Sequence, residues 1–141
     1  MRHPLHPVLV HFPVACWSLA VAADFASLHS GELAWRWSAG LLTVGCCSAV
    51  LAMPTGLLEL SKVPEGRPLA DCYRHMGLMM LAFALFGLRL LVGLDQMQPV
   101  APNKMALALD VGGFASLVVG GWYGGKLVYG HGIGQAEDRH R

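Results

Sequence analysis

Apolar side chains gather into four blocks along the chain, roughly residues 8–28, 35–58, 75–94 and 105–129. Each is about 20 residues or longer, enough to carry an α-helix across a ~30 Å hydrocarbon core. Turn formers separate them: Pro64-Glu65-Gly66-Arg67-Pro68 before the third block and the stretch from Pro99 to Pro102 before the fourth. Pro54-Thr55-Gly56 lies near the end of the second, where a proline frees a carbonyl and allows a kink. The pattern predicts an all-α protein, a bundle of four transmembrane helices forming a single membrane domain over residues 1–141. The first block is not read as a secretion signal: it holds His11, Pro13 and Asp24, and no small-residue cleavage site leads into a polar mature domain.

Four spans return both termini to one side. That side receives Arg2, Lys62, Arg67, Arg74, Lys126, Arg139 and Arg141, against Arg36, Arg89 and Lys104 on the other. The excess of basic residues predicts that the termini are cytoplasmic. Trp35 and Trp37 suit an aromatic belt at the far interface, and Tyr73 and Tyr129 one at the near interface.

Composition strengthens the membrane reading. The chain is 55% apolar and 13% charged, with a mean hydropathy of +0.49. Soluble domains carry about 25% charged residues. A net charge of +1 and no long basic run give nucleic acid no electrostatic footing. The four cysteines (Cys16, Cys46, Cys47, Cys72) form no Cys-x-x-Cys pair and read as small apolar packing residues. No Gly-x-Ser-x-Gly, His-Glu-x-x-His, P-loop or dinucleotide fingerprint supports a hydrolase or a nucleotide enzyme.

Histidines carry the candidate chemistry. On this topology His3, His6, His11, His75 and His131 share the face of the termini. Ionisable side chains at membrane depth are costly and mark functional sites. His11 is expected about a turn inside the membrane, His75 opens the third span, and His131 follows a glycine-rich fourth span. Glu59, near the end of the second span, adds a carboxylate. Bundles build cofactor sites from side chains facing inward on different helices.

The leading expectation is a small electron-transfer protein resembling a b-type cytochrome. His11 and His75 would be the axial ligands of haem b, with His131 as rival. His3 and His6 would orient the propionates, and Arg74 and Lys126 would neutralise them. Such a protein would relay electrons between a quinone or membrane dehydrogenase and a protein acceptor, a cytochrome for example. The alternative is a non-haem Fe, Cu or Zn site built from His6, His11, His75, His131 and Glu59. A third reading is a non-catalytic assembly subunit whose histidines only hydrogen-bond.

Two further features stand apart. Gly120–Gly124 and Gly121–Gly125 are GxxxG pairs, which permit close helix packing and a homodimer through the fourth span. Asp24, Arg89 and Asp110 lie toward the opposite face. An Asp24–Arg89 ion pair there would lock the bundle or line a proton or substrate path.

The opening His3-Pro4-Leu5-His6-Pro7-Val8-Leu9-Val10-His11-Phe12-Pro13-Val14-Ala15 resembles the start of a family of bacterial membrane proteins, domain of unknown function 2231. Pro54-Thr55-Gly56, His75 and the Gly120 to Gly134 ending are similar to it as well. The resemblance covers nearly the whole chain and implies four membrane helices in a bacterial inner membrane. Family members also occur attached to sugar-dehydrogenase-like proteins of the sorbosone type, which implies electron transfer at the membrane. The resemblance implies no catalytic residues.

Overall fold

The computed structural model describes residues 5–133. Four helices run antiparallel in chain order: α1 Leu5–Ser30, α2 Glu32–Leu60, α3 Arg67–Val92 and α4 Lys104–Gly125, the last extended by a π-helical turn over Lys126–Gly130. All four are long and apolar enough to cross a membrane. At ~1.5 Å per residue, the 26 residues of α1 reach about 39 Å. Much of the outer surface is hydrocarbon, with Leu33, Leu51, Leu58, Leu91 and Trp122 all strongly exposed. A water-soluble monomer avoids such a surface, whereas a bilayer requires it.

The connections are short. Gly31 alone joins α1 to α2, at φ 74°, a conformation that costs glycine little. A two-residue antiparallel pairing, Leu94–Asp95 (β1) with Gln98–Pro99 (β2), turns the chain between α3 and α4. Asn103 then caps α4, its side-chain oxygen accepting from the Ala106 N–H at 2.9 Å.

The helix bounds shift from those the apolar blocks predict, most of all in α3. It starts at Arg67 rather than near residue 75, with Pro68 in its first turn where a proline is tolerated. Asp71, Cys72 and Arg74 therefore belong to the helix, and His75 lies two turns inside it. Pro13 and Pro54 are both accommodated within helices.

Helices α1 and α2 pack as one hairpin and α3 and α4 as another; the hairpins meet more lightly along α2–α3 and α1–α4. Glycines set the approach within each hairpin. Gly45 faces Trp17, where an added Cβ would stand 2.7 Å from the indole Nε1; Gly113 faces Phe86, at 2.9 Å from Cζ. The two rings then stack on each other across the bundle centre, with centroids 5.0 Å apart and planes at 20°. Leu42, Ala49, Ala82 and Leu117 complete this core.

The hairpins are approximate copies. His6 precedes Trp17 by the same interval as His75 precedes Phe86. Gly45, Ser48 and Gly56 follow the same spacing as Gly113, Ser116 and Gly124. Each matched pair occupies the same station in its hairpin, so the bundle has a pseudo-twofold axis along its length, a common feature of membrane bundles built from parallel repeats.

Overpacking a close approach costs about 1–3 kcal/mol. Gly113→Ala is therefore expected to lower the thermal denaturation midpoint of the detergent-solubilised protein. Gly87→Ala, where an added Cβ meets nothing within 4 Å, is expected to leave it unchanged or raise it. Equal midpoints for the two variants would contradict the packing described.

Candidate functional site

At the end of the bundle where α1 begins and the π turn follows α4, one imidazole from each hairpin is half-buried, and both are held in the same way. His75, on α3, lies over Gly124 of α4, where an added Cβ would stand 3.0 Å from the ring. Its Nδ1–H donates to the Gly120 carbonyl at 2.8 Å. His6, on α1, lies over Gly56 of α2, with the corresponding distance 2.9 Å. Its Nδ1–H points at the Ala52 carbonyl, 3.2 Å away, and at Thr55 Oγ1, 3.1 Å away. The Thr55 hydroxyl itself donates to the Ala52 carbonyl at 2.6 Å, which leaves a lone pair to accept from the imidazole. In each hairpin the accepting carbonyl lies one turn before the glycine under the ring.

A carbonyl can only accept, so His75 carries its proton on Nδ1, and the contacts of His6 favour the same tautomer. The lone pair of each ring then sits on Nε2. Such an arrangement recurs in metal-bound histidines, where a carbonyl on one nitrogen fixes the ring and sharpens the basicity of the other.

Around the mouth of this end lies a charged cluster centred on Asp71, which is buried. Its Oδ1 accepts from Arg74 at 2.9 Å, and its Oδ2 accepts from Lys126 at 2.8 Å and from His131 Nε2 at 3.0 Å. The π turn makes the last two contacts compatible. Residues five apart on an α-helix diverge by about 140°. A π turn, with its i to i+5 hydrogen bonds, brings them toward one face; here the His131 N–H donates to the Lys126 carbonyl. Arg74 also lies over the Tyr123 ring, 5.8 Å from its centroid. Arg67, Ala70, Asp71, Arg74 and Lys126 line a cleft of about 310 Å³. Three cations against one carboxylate leave it positive.

The predicted site residues divide accordingly. His6 and His75 are seated alike, one in each hairpin, at the same end of the bundle, and Arg74 and Lys126 lie at that end as well. His11 does not join them. Its depth matches, but it follows His6 by five residues, and that rotation leaves it exposed on the outside of α1. His11 therefore does not share the interior position of His6 and His75. His131 is drawn into the charged cluster, its Nε2 bonded to Asp71 Oδ2 at 3.0 Å. Glu59 is half-buried one turn beyond Gly56. His3 lies outside the described residues. Among the described residues, no three His, Cys, Asp or Glu side chains converge as a metal-binding group, so the five-ligand set of His6, His11, His75, His131 and Glu59 is not assembled.

Sequence reasoning missed the role of Asp71, which binds Arg74, Lys126 and His131 together, and the seats provided by Gly56 and Gly124. Matched spacing between the two halves was the available signal for the glycines. Of the fourth-span pairs, Gly120 and Gly124 are spent inside the chain against Met79, Leu78 and His75, while Gly121 and Gly125 meet nothing within 4 Å.

Asp71→Asn is expected to loosen the segment it clasps, with backbone amides of residues 126–131 exchanging hydrogen faster by mass spectrometry and those of α1 unchanged. Unaltered exchange at 126–131 would show that the cluster does not hold the π turn.

A family model described as predicted membrane protein (DUF2231) matches residues 2–137, and the chain belongs to that family. No curated protein and no solved structure matches the chain.

Proposed function

We propose that this DUF2231 protein is a small electron-transfer protein of the b-type cytochrome kind, in which His6 and His75 would hold one haem. The observation that carries the reading is the matched pair of imidazoles. Each comes from a different hairpin, each is fixed through Nδ1 by a carbonyl of its partner helix, and each keeps Nε2 for a ligand. Two nitrogen donors without a third protein ligand suit a cofactor that brings its own four equatorial nitrogens, which favours haem over a bare Fe, Cu or Zn ion.

Such a haem would supply a reversible one-electron carrier. The chain's own contribution is positional. Gly56 and Gly124 let the rings lie close to the backbone, and the Ala52 and Gly120 carbonyls hold them against rotation. Arg67, Arg74 and Lys126 surround a cleft at the same end and would receive the carboxylates of the propionates by charge-assisted hydrogen bonds. The surrounding apolar helices exclude water from the pair. A single site near one face suits a short relay between a quinone or membrane dehydrogenase and a protein acceptor, in a bacterial inner membrane with the termini cytoplasmic. The exposed Gly121–Gly125 stripe suits a homodimer contact.

The test is an absorption spectrum of the detergent-purified protein, oxidised and then dithionite-reduced, after growth with haem precursor. A Soret band that shifts and sharpens on reduction is expected. His6→Ala and His75→Ala should each abolish the low-spin spectrum, and His11→Ala should leave it intact. A colourless protein in which both variants lose only stability would make the imidazoles structural clasps. A spectrum lost in His11→Ala and kept in His6→Ala would refute the assignment.

A further inference from the structure

The opposite end of the bundle holds a second polar cluster that an electron relay does not use. Asp24 of α1 and Asp110 of α4 are both fully buried, and Arg89 of α3 is 3% exposed between them. Arg89 donates to Asp24 Oδ2 through a terminal nitrogen at 2.6 Å and through Nε at 3.0 Å; Nε also reaches Asp110 Oδ2 at 3.4 Å. Gly93 makes room for the guanidinium, since any Cβ there would collide with it. The other oxygen of each carboxyl group, Oδ1 of Asp24 and of Asp110, is buried without a partner. So is the hydroxyl of Ser38. The register that sets His6 against Gly56 and Trp17 against Gly45 sets Asp24 level with Ser38 on α2.

The charge count is decisive. Two carboxylates and one guanidinium leave one uncompensated negative charge in a bundle core that a bilayer surrounds. Burying an unpaired charge is very costly, and the group neutralises instead. No other charge among the described residues lies in the cluster. On α1, His29 is exposed; on α2, Glu32 and Arg36 pair with each other at the surface; Asp95 of the turn and Lys104 of α4 are exposed as well. Both carboxyl groups reach the same guanidinium nitrogen, Arg89 Nε, at 3.0 and 3.4 Å, so one cation serves two carboxyls at a single point.

We propose that Asp24, Asp110 and Arg89 form a proton-binding site, in which one proton delivered from water is held between the two carboxyl groups and balances the guanidinium cluster. With the proton bound the site is neutral, and on its release one negative charge remains beside Arg89. The buried Ser38 hydroxyl, level with Asp24 and without a partner of its own, adds a second polar group to the same stratum of the core. The site stands independently of any haem, because its geometry involves none of the residues that would hold one.

Infrared spectroscopy of the full-length protein in lipid nanodiscs tests this directly. The wild type should show a carboxylic C=O stretching band, shifted by deuteration and by isotope-labelled aspartate, that disappears reversibly as the pH is raised and the shared proton is released. Asp110→Asn, which leaves one carboxylate per guanidinium, should abolish that band. Absence of the band in the wild type at every pH would overturn the proposal without reliance on a variant. Its persistence in a folded Asp110→Asn protein would also overturn it. So would loss of the band on adding Na⁺ at constant pH, which would identify a metal-cation site.

Discussion

Everything at the end that holds the two imidazoles depends on how closely the two helices of each hairpin approach. Gly45 and Gly56 on α2, and Gly113 and Gly124 on α4, present bare backbone to a ring on the neighbouring helix. Close approach lets an imidazole reach a main-chain carbonyl of that helix, at Ala52 in one hairpin and Gly120 in the other. A carbonyl has two lone pairs, so it can accept from a side chain without giving up its helical bond. In a bilayer core no water is at hand to satisfy a ring nitrogen, and the protein must supply the partner itself. The same contact that makes the imidazole affordable also aims it and leaves Nε2 as its reactive atom.

Polar groups are segregated along the bundle. The imidazole pair and the Asp71 cluster occupy the end with the chain termini, and the Asp24–Arg89–Asp110 cluster the other, with Trp17, Phe86 and their apolar neighbours between. The pseudo-twofold relation extends through the ring stations of both hairpins. It breaks at the far cluster, where Arg89 takes the station of Ala20 and Asp110 that of Leu42. That asymmetry suits a scaffold of two similar halves whose paired features serve one central site and whose unpaired ones serve another.

The four helices were legible from hydropathy, because spanning a bilayer demands long apolar runs. The Asp24–Arg89 pair was legible from depth alone. The start of α3 was not: the polar run through Arg67 and Arg74 reads as a loop, yet it forms the interfacial turns of a helix that begins at Arg67. Nor was the facing of His11. In a soluble helix an apolar stripe marks the buried side, but here the lipid-facing side of α1, with Val8, Phe12 and Leu19, is as apolar as the packed side. Depth could be read from position, and face could not. The repeated spacing of His6, Trp17, Gly45 and Gly56 in His75, Phe86, Gly113 and Gly124 carried that missing information.

The most direct test of the central claim is the electron paramagnetic resonance spectrum of the oxidised, haem-loaded protein. Two imidazoles meeting at one iron predict a low-spin ferric signal in the wild type, converted to high spin when either His6 or His75 alone is replaced. A high-spin signal in the wild type, or a low-spin signal surviving both replacements, would contradict the pairing of the two hairpins' histidines.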